Sequence, residues 1–200
     1  QQPAAPPQQQ GYGGLGDGVV QAVGGSGGSP PRKRRLVVTS CIDCIAPRLY
    51  VGSVHALDND AIELHRRNIK CVISIAPTLT EKAQRRLSQH FDLVHYGLSH
   101  EVFGRNTHAT LRDATRRIRQ AIHEKGVAVF VHCRSGMHRS IAVIVAYMMQ
   151  EHAHMSWSEA FAYVSTRRTC AHAKYKGLVE EYIRGVPPPY PPPSRGAPLA

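Results

Sequence analysis

The sequence predicts an α/β domain with a central, mainly parallel sheet and helices on both faces. Two observations carry this prediction: strand-like segments alternate with helical segments, and Gly and Pro are concentrated at the ends of the chain. Of the 31 Gly and Pro residues, 22 lie within 1–31 and 186–200. We therefore expect one domain over 36–185, a disordered Gln/Pro/Gly-rich tail with a basic run over 1–35, and a disordered Pro-rich tail over 186–200.

Four segments have the alternation or the β-branched composition of strands. They are 48–53, 70–76, 91–98 and 127–131. A polar segment, 99–106, follows the third strand and is expected to be a loop. Because helices separate the strands, crossover connections join them, and such connections favour parallel pairing.

Six segments have helical spacing or the residues with which helices begin: 58–67, 78–89, 107–125, 139–152, 156–167 and 173–184. A capping box from Thr78 to Glu81 is expected to open the second helix, and Thr107 is expected to cap the third. A second capping box, from Ser156 to Glu159, is expected to open the fifth.

The chain carries a net charge of +11, and 36–185 holds 20 Lys and Arg against 13 Asp and Glu. A basic domain attracts anions such as phosphorylated proteins, phosphoinositides or nucleic acids. The longest apolar run, 141–149, is far shorter than the ~20 residues that span a bilayer, and no secretory signal is visible. Five cysteines do not suit a disulfide scaffold, so we expect a reducing compartment, cytoplasmic or nuclear.

The motif that carries chemistry is H-C-R-S-G-M-H-R-S, between the strand 127–131 and the helix 139–152. Backbone N–H groups in such a connection point inward, and with the helix N-terminus they form a cradle for a phosphate dianion. Gly136 allows torsion angles that a β-carbon would oppose. The phosphate-binding loop comprises His132, Arg134, Ser135, Gly136, Met137 and His138.

Four side chains of this motif have expected roles. The positive field of the cradle favours the thiolate of Cys133, the nucleophile that accepts a phosphoryl group. Arg139 can hold two phosphate oxygens with its planar guanidinium. Ser140 can donate a hydrogen bond to the departing thiolate, and His132 is expected to brace the loop by hydrogen bonding. Transfer of a phosphoryl group to Cys133 in this way requires no metal ion and no organic cofactor.

The pattern C-x5-R-[ST], after an apolar strand and a histidine, resembles the signature of cysteine-dependent protein phosphatases. The loop V-H-C-R-S-G-M-H-R-S resembles that of the dual-specificity branch, as do the segments A-P-R-L-Y-V-G-S, R-R-N-I-K-C-V-I-S-I and E-A-F-A-Y-V-S-T-R-R. This resemblance implies a phosphotyrosine-phosphatase-like fold and hydrolysis through a phosphocysteine on Cys133. It also implies phosphotyrosine and phosphoserine or phosphothreonine on proteins as substrates.

The sequence departs from that family at the general acid, which in relatives is an Asp about 30 residues before the cysteine. The segment 99–106 contains no Asp; its only carboxylate is Glu101, 32 residues before Cys133. We predict that Glu101 serves as the acid with weakened efficiency, and His100 is a second candidate. If the acid is absent, the protein would hydrolyse activated aryl phosphates and hardly act on phosphoserine.

Two other functions stay open. Arg134 and His138 make the loop basic, which favours a phosphoinositide phosphatase or an RNA 5′-phosphatase with the same chemistry. The missing Asp and the Pro-rich tail favour a weakly active or inactive scaffold that binds phosphoproteins. The basic helix 107–125 carries no Tyr, Phe or Trp, which argues against nucleic-acid stacking.

We expect the other cysteines to have ordinary structural roles. Cys41 and Cys44 have C-x2-C spacing, but no second pair completes a zinc site, so two reduced cysteines and no metal are expected. Cys71 lies in a strand expected to neighbour that of the nucleophile. A buried thiol is the favoured interpretation, and a protective disulfide with oxidised Cys133 is the alternative.

Two motifs lie in the predicted tails. The run P-R-K-R-R from Pro31 to Arg35 resembles a nuclear-import signal. The run P-P-P-Y from Pro187 to Tyr190 fits the P-P-x-Y pattern that WW domains bind as polyproline II, although chance occurrence in a Pro-rich tail is the alternative. The expected partners are phosphorylated proteins and WW-domain proteins.

Overall fold

Five strands form one sheet in the computed structural model, which describes residues 42–58 and 61–186. The strands are β1 (Ile42–Ala46), β2 (Leu49–Ser53), β3 (Ile69–Ser74), β4 (Asp92–His95) and β5 (Ala128–Cys133). Their order across the sheet is β1-β2-β5-β3-β4. β1 runs antiparallel to β2, and the other neighbouring strands are parallel. The predicted α/β class with a mainly parallel sheet is therefore confirmed.

Within the described ranges, seven α-helices accompany the sheet. They are α1 (Ile62–Arg66), α2 (Glu81–Ser88), α3 (His100–Arg105), α4 (Thr107–Arg119), α5 (Arg139–Glu151), α6 (Trp157–Arg167) and α7 (Lys176–Arg184). A 3-10 turn, Val54–Leu57, follows β2, and a π-helical turn, Gln120–Glu124, extends α4. In this part of the chain no helix has the length and apolar character needed to cross a bilayer.

Each face of the sheet has its own hydrophobic core. Side chains of α4, α5, α6 and α7 cover one face, where they meet Val129, Val131 and Cys133 of β5. Side chains of α1 and α2 cover the other face, where they meet Ala128 and Phe130. Because successive strand residues point to opposite faces, this alternation places Cys133 on the same side as α5.

The central helix of the first core is α5, in which every residue from Arg139 to Met149 is buried. A helix that is apolar almost all round lies inside a protein rather than on its surface. Its N-terminus follows the carboxyl end of β5 after a five-residue loop. The most strongly buried helix of the described domain therefore begins at the predicted phosphate cradle.

The segment 99–106 was expected to be a polar loop, and this prediction is wrong because α3 occupies most of it. The hydroxyl of Ser99 accepts a hydrogen bond from the amide of Val102 at 3.2 Å. Phe103 is fully buried and packs against Tyr175 with ring centroids 4.8 Å apart. A single buried aromatic residue anchors this short helix. One apolar position gives no helical periodicity, so the sequence pattern does not predict the helix.

Two predicted helix caps are also wrong. Thr80 caps α2, since its hydroxyl accepts a hydrogen bond from the amide of Ala83 at 3.2 Å, and the box from Thr78 does not form. Thr107 does not cap α4, because its buried hydroxyl donates to the carbonyl of Phe103 at 2.8 Å. Both helices form where they were expected; only their first turns differ.

Strand β1 has no counterpart in the prediction, because Asp43 and Cys44 interrupt its apolar pattern. It lies at the edge of the sheet and pairs with β2. Cys41, the basic run at 31–35 and the P-P-P-Y run at 187–190 lie outside the described residues, as do most of the predicted tails.

The capping box from Ser156 to Glu159 is confirmed, with each side chain bonded to the other residue's backbone amide. We expect Ser156→Ala to lower the free energy of unfolding by about 1 kcal/mol, because it leaves an amide of the first turn of α6 without its partner. Urea unfolding measures this change. Ser158→Ala, at an exposed position of the same turn, is the control, and an equal loss in both variants would contradict the capping role.

Candidate active site

The predicted phosphate-binding loop lies at the carboxyl end of the parallel strands, between β5 and α5. The neighbouring strands meet it there: Gly52 pairs with His132, and Ser53 pairs with Cys133. Gly136 has a positive φ of 70°, and a β-carbon at this position would collide with the carbonyl of Gly52. The loop therefore requires glycine here for its torsion angle and for its close approach to β2.

Cys133 is buried at the floor of this loop, with its Sγ 3.3 Å from the hydroxyl oxygen of Ser140. Burial alone would raise the pKa of the Cys133 thiol. Hydrogen bonds from the hydroxyl and amide of Ser140 and from the amides of His138 and Gly136 outweigh burial, so the pKa is lowered. Ser140 thus lies where a donor to the thiolate is needed.

Arg139 is the first residue of α5 and is 2% exposed. Its guanidinium donates a hydrogen bond to the carbonyl of Leu98, in the segment before α3. Its Nε has no hydrogen-bond partner among the described residues. This side chain links the loop to α3 and keeps one donor for an anion in the cradle.

His132 is fully buried, and burial lowers its pKa to about 4. The imidazole is therefore neutral at physiological pH, and its Nδ1 lies 3.3 Å from the carbonyl oxygen of Cys133. The ring also stacks on Phe130, with centroids 5.4 Å apart. These contacts support the predicted bracing role of His132.

Four other loop residues are at least partly exposed. Arg134 and Ser135 are exposed, while Met137 and His138 are half-buried. The carbonyl of Met137 accepts a hydrogen bond from the amide of His172 at 2.9 Å. The carbonyl of Arg134 accepts one from the amide of Val54 at 3.2 Å. Carbonyl groups on the outside of the loop leave its amides free to point inward.

Arg168 supports the loop and was not among the site residues predicted from the sequence. It follows α6, is 1% exposed, and donates from Nε to the carbonyl of Gly136 at 2.9 Å and from a terminal nitrogen to that of Ser135 at 3.2 Å. Its other terminal nitrogen forms an ion pair with Asp43 of β1 at 2.7 Å. The paired arginines of S-T-R-R indicated this residue in the sequence, but its acidic partner Asp43 lies in β1, the strand that was not predicted.

The two acid candidates stand in the first turn of α3 and differ in their surroundings. Nδ1 of His100 lies 2.7 Å from the hydroxyl oxygen of Tyr175, and its ring lies 5.3 Å from that of His138 in the loop. Glu101 is exposed, and its side chain contacts no polar partner in the described part of the chain. The structure brings His100 to the loop, whereas the role of Glu101 stays a prediction.

Cys71 lies in β3, next to β5 as expected, but far from the nucleophile along the strands. It pairs with Val129, four residues before Cys133, which corresponds to about 13 Å. A disulfide requires α-carbons within about 7 Å, so this geometry favours the buried thiol. Burial raises the pKa of Cys71 to about 11.

The described part of the chain contains no group of three or more side chains that could bind a metal ion together.

A buried cysteine with a lowered pKa, inward-pointing amides and an adjacent buried arginine define the cysteine-dependent class of phosphatases. The family model "Dual specificity phosphatase, catalytic domain" matches residues 49–183. The chain therefore belongs to the dual specificity phosphatase family.

The sequence identity to individual relatives is low. The chain is 28% identical to human dual specificity protein phosphatase 9 over 126 residues, which covers 62% of this chain but 31% of that protein's length. Human DUSP28 shares the fold with a TM-score of 0.63 at 21% identity, over 74% of this chain and 96% of that one. PTPMT1, solved in complex with PI(5)P, has a TM-score of 0.61 at 16% identity, over 73% and 96%.

The lowered pKa of Cys133 predicts alkylation by iodoacetamide at a pH below that of an ordinary thiol, because only the thiolate reacts. The rate of Cys133 labelling should therefore reach its midpoint at a lower pH than that of a cysteine in an unstructured control peptide, as measured by peptide mass spectrometry. Ser140→Ala removes one hydrogen bond to the thiolate and should raise the midpoint. Equal midpoints for Cys133 and the control peptide would contradict an activated thiolate.

Arg168→Met should lower the free energy of unfolding by about 3 kcal/mol, because Asp43 and two loop carbonyls lose their donor. Urea unfolding gives this value, and the affinity for vanadate reports the loop geometry. Arg167→Met is the matched control, since Arg167 is exposed and stacks on Tyr163. A similar small loss in both variants would show that the buried guanidinium does not hold the loop.

Proposed function

We propose that this chain is a protein phosphatase that hydrolyses phosphotyrosine and phosphoserine or phosphothreonine through a phosphocysteine on Cys133. The observation that carries the proposal is the lowered pKa of Cys133 beneath amides and beside Arg139. A thiolate at the floor of an anion cradle is placed for attack on phosphorus, and the family match over 49–183 supports the same chemistry.

In the first step, the loop amides and Arg139 bind the phosphate, and the thiolate of Cys133 attacks phosphorus. A P–S bond forms while the P–O bond to the substrate breaks, and the leaving oxygen takes up a proton. The same donors stabilise the charge that the equatorial oxygens carry in the transition state. Phosphate binding and catalysis therefore use one set of groups.

In the second step, water attacks the phosphocysteine, the P–S bond breaks and inorganic phosphate leaves. The hydroxyl of Ser140, 3.3 Å from Sγ, can donate to the departing thiolate and lower the energy of this step. A base must take one proton from the water, and this is the group that donated the proton in the first step. The sequence favours Glu101 for both proton transfers, with His100 as the second candidate.

A phosphoinositide phosphatase is the second candidate function. It is supported by a basic rim, which we define as Arg134, His138, His172 and Lys174. The rings of His138 and His172 lie 5.1 Å apart, and the charges of His172, Lys174 and Arg139 all lower the pKa of His138, after burial. The lowered pKa favours the neutral form of His138, so the permanent positive charge of this rim comes from Arg134 and Lys174. Such charge favours substrates with more than one phosphate, and the complex of PTPMT1 with PI(5)P belongs to a protein of the same fold.

Substrate preference separates these functions. Faster release of phosphate from phosphoinositide vesicles, or from 5′-triphosphate RNA, than from phosphopeptides would replace the protein phosphatase assignment. Phosphorylated proteins as partners, WW-domain proteins at the P-P-P-Y run and a cytoplasmic or nuclear location are parts of this proposal. They rest on the sequence.

Hydrolysis of p-nitrophenyl phosphate tests the central claim. We expect the full chain to release p-nitrophenol, Cys133→Ser to fall to background, and Arg139→Lys to lose roughly 100-fold in kcat/KM because lysine cannot bind two phosphate oxygens in one plane. Circular dichroism establishes that both variants are folded. Equal background rates for the parent and Cys133→Ser would show that the chain is a phosphate-binding scaffold instead.

A further inference from the structure

Departure of an alkoxide from the phosphate requires a proton donor above the cradle. We propose that His100 is this donor and that Tyr175 positions it. The proposal rests on the hydrolase function proposed above and identifies the acid–base group of that reaction.

The main chain next to His100 is fixed to the cradle. Arg139 donates a hydrogen bond to the carbonyl of Leu98, two residues earlier, and the hydroxyl of Ser99 caps α3. The imidazole of His100 then lies edge to face against that of His138, with ring centroids 5.3 Å apart. The ring contact with His138 and the bond of Arg139 to the preceding main chain therefore hold His100 at the mouth of the cradle.

Tyr175 determines which nitrogen of His100 exchanges its proton. The hydroxyl of Tyr175 donates to the carbonyl of His100 at 3.3 Å, and Nδ1 of His100 lies 2.7 Å from the same hydroxyl oxygen. In the imidazolium both ring nitrogens carry protons, so Nδ1 donates to the hydroxyl oxygen while the hydroxyl donates to the carbonyl. Nε2 is then the nitrogen that gains and loses a proton.

Tyr175 is itself held in place. It is 7% exposed, and its ring packs against Phe103 of α3 with centroids 4.8 Å apart. Burial raises the pKa of Tyr175, so its hydroxyl stays protonated. A buried hydroxyl that bonds twice to one histidine fixes the tautomer and the orientation of that ring.

Glu101 is less well placed for the same task. It is the next residue of α3, and successive residues of a helix point about 100° apart. With His100 turned towards the loop, the side chain of Glu101 leaves the helix in a different direction, which agrees with its exposure and with its lack of polar contacts in the described part of the chain.

The charges around His100 suit a proton donor. Burial lowers its pKa, and so do the positive charges of Arg139 on α5, Lys174 before α7 and His138 in the loop; Glu101 is the adjacent carboxylate on α3 itself. A lower pKa makes the imidazolium a stronger acid. A phosphate dianion in the cradle opposes the same positive charges, so bound substrate favours the protonated ring.

The proton balance closes over the two steps. In the first step, the thiolate of Cys133 forms the P–S bond, the P–O bond breaks, and the proton on Nε2 of His100 goes to the leaving oxygen. In the second step, water forms a new P–O bond, its proton goes to Nε2, and the P–S bond breaks. The products are an alcohol and inorganic phosphate, and the thiolate and imidazolium are restored.

The test compares kcat/KM for a series of aryl and alkyl phosphates whose leaving groups differ in pKa. For His100→Gln in the full chain, we expect a loss of roughly 100-fold on alkyl phosphates and phosphoserine peptides, and little change on p-nitrophenyl phosphate. The dependence of the rate on leaving-group pKa should become steeper. The parent should also lose activity on alkyl phosphates as the pH rises through the pKa of His100. The pH–rate profile of the variant should lack this descending limb.

Three further variants complete the design. His154→Gln makes the same change at an exposed histidine outside the site and should leave both profiles unchanged. Tyr175→Phe keeps the packed ring, removes the hydroxyl, and should shift the pH limb for alkyl phosphates. His100→Asp should regain part of the lost rate, because a carboxylic acid also donates a proton.

Other results would overturn the proposal. A steeper dependence in Glu101→Gln, with His100→Gln unchanged, would assign the acid to Glu101. Unchanged dependence in both variants would mean that neither group transfers the proton. If the parent hydrolyses p-nitrophenyl phosphate no faster than Cys133→Ser, the proposed function itself fails, and this outcome is distinct from the other two.

Discussion

The hydrogen bonds of the Arg168 guanidinium are the constraint on which the rest of the site depends. They hold the carbonyls of Ser135 and Gly136 on the outside of the loop and tie them to Asp43 of β1. A peptide unit whose carbonyl is held outward presents its N–H inward. The edge strand, the end of α6 and the loop therefore act together in creating the positive field at Cys133.

That field explains why the thiol pKa values of two buried cysteines shift in opposite directions. Burial disfavours the thiolate in both, and it raises the pKa of Cys71 to about 11. At Cys133 the hydrogen bonds of the loop and of Ser140 reverse the effect. Two cysteines on the same face of one sheet therefore have thiol pKa values shifted in opposite directions, upwards in β3 and downwards at the end of β5. Both side chains are buried, so the hydrogen bonds at the end of β5 account for the difference.

The sequence predicted the parts of the site that are contiguous in the chain. The nucleophile, Arg139, Ser140 and the strand–loop–helix context come from one stretch, so spacing alone places them. Asp43 and Arg168 are 125 residues apart, and His100 and Tyr175 are 75 apart. Such pairs are set by the packing of helices and strands, which no local pattern records. The helix α3 escaped prediction for a related reason: its stability comes from Phe103 against Tyr175, a tertiary contact.

The burial of α5 from Arg139 to Met149 has a consequence for how this protein can change over evolution. Positions without a solvent face tolerate few changes, so most substitutions from Arg139 to Met149 alter the core that supports the whole domain. Drift in α5 thus removes the fold together with the activity. A descendant that keeps the fold but abandons catalysis is therefore expected to change residues outside this helix, such as Cys133 or His100 in the first turn of α3.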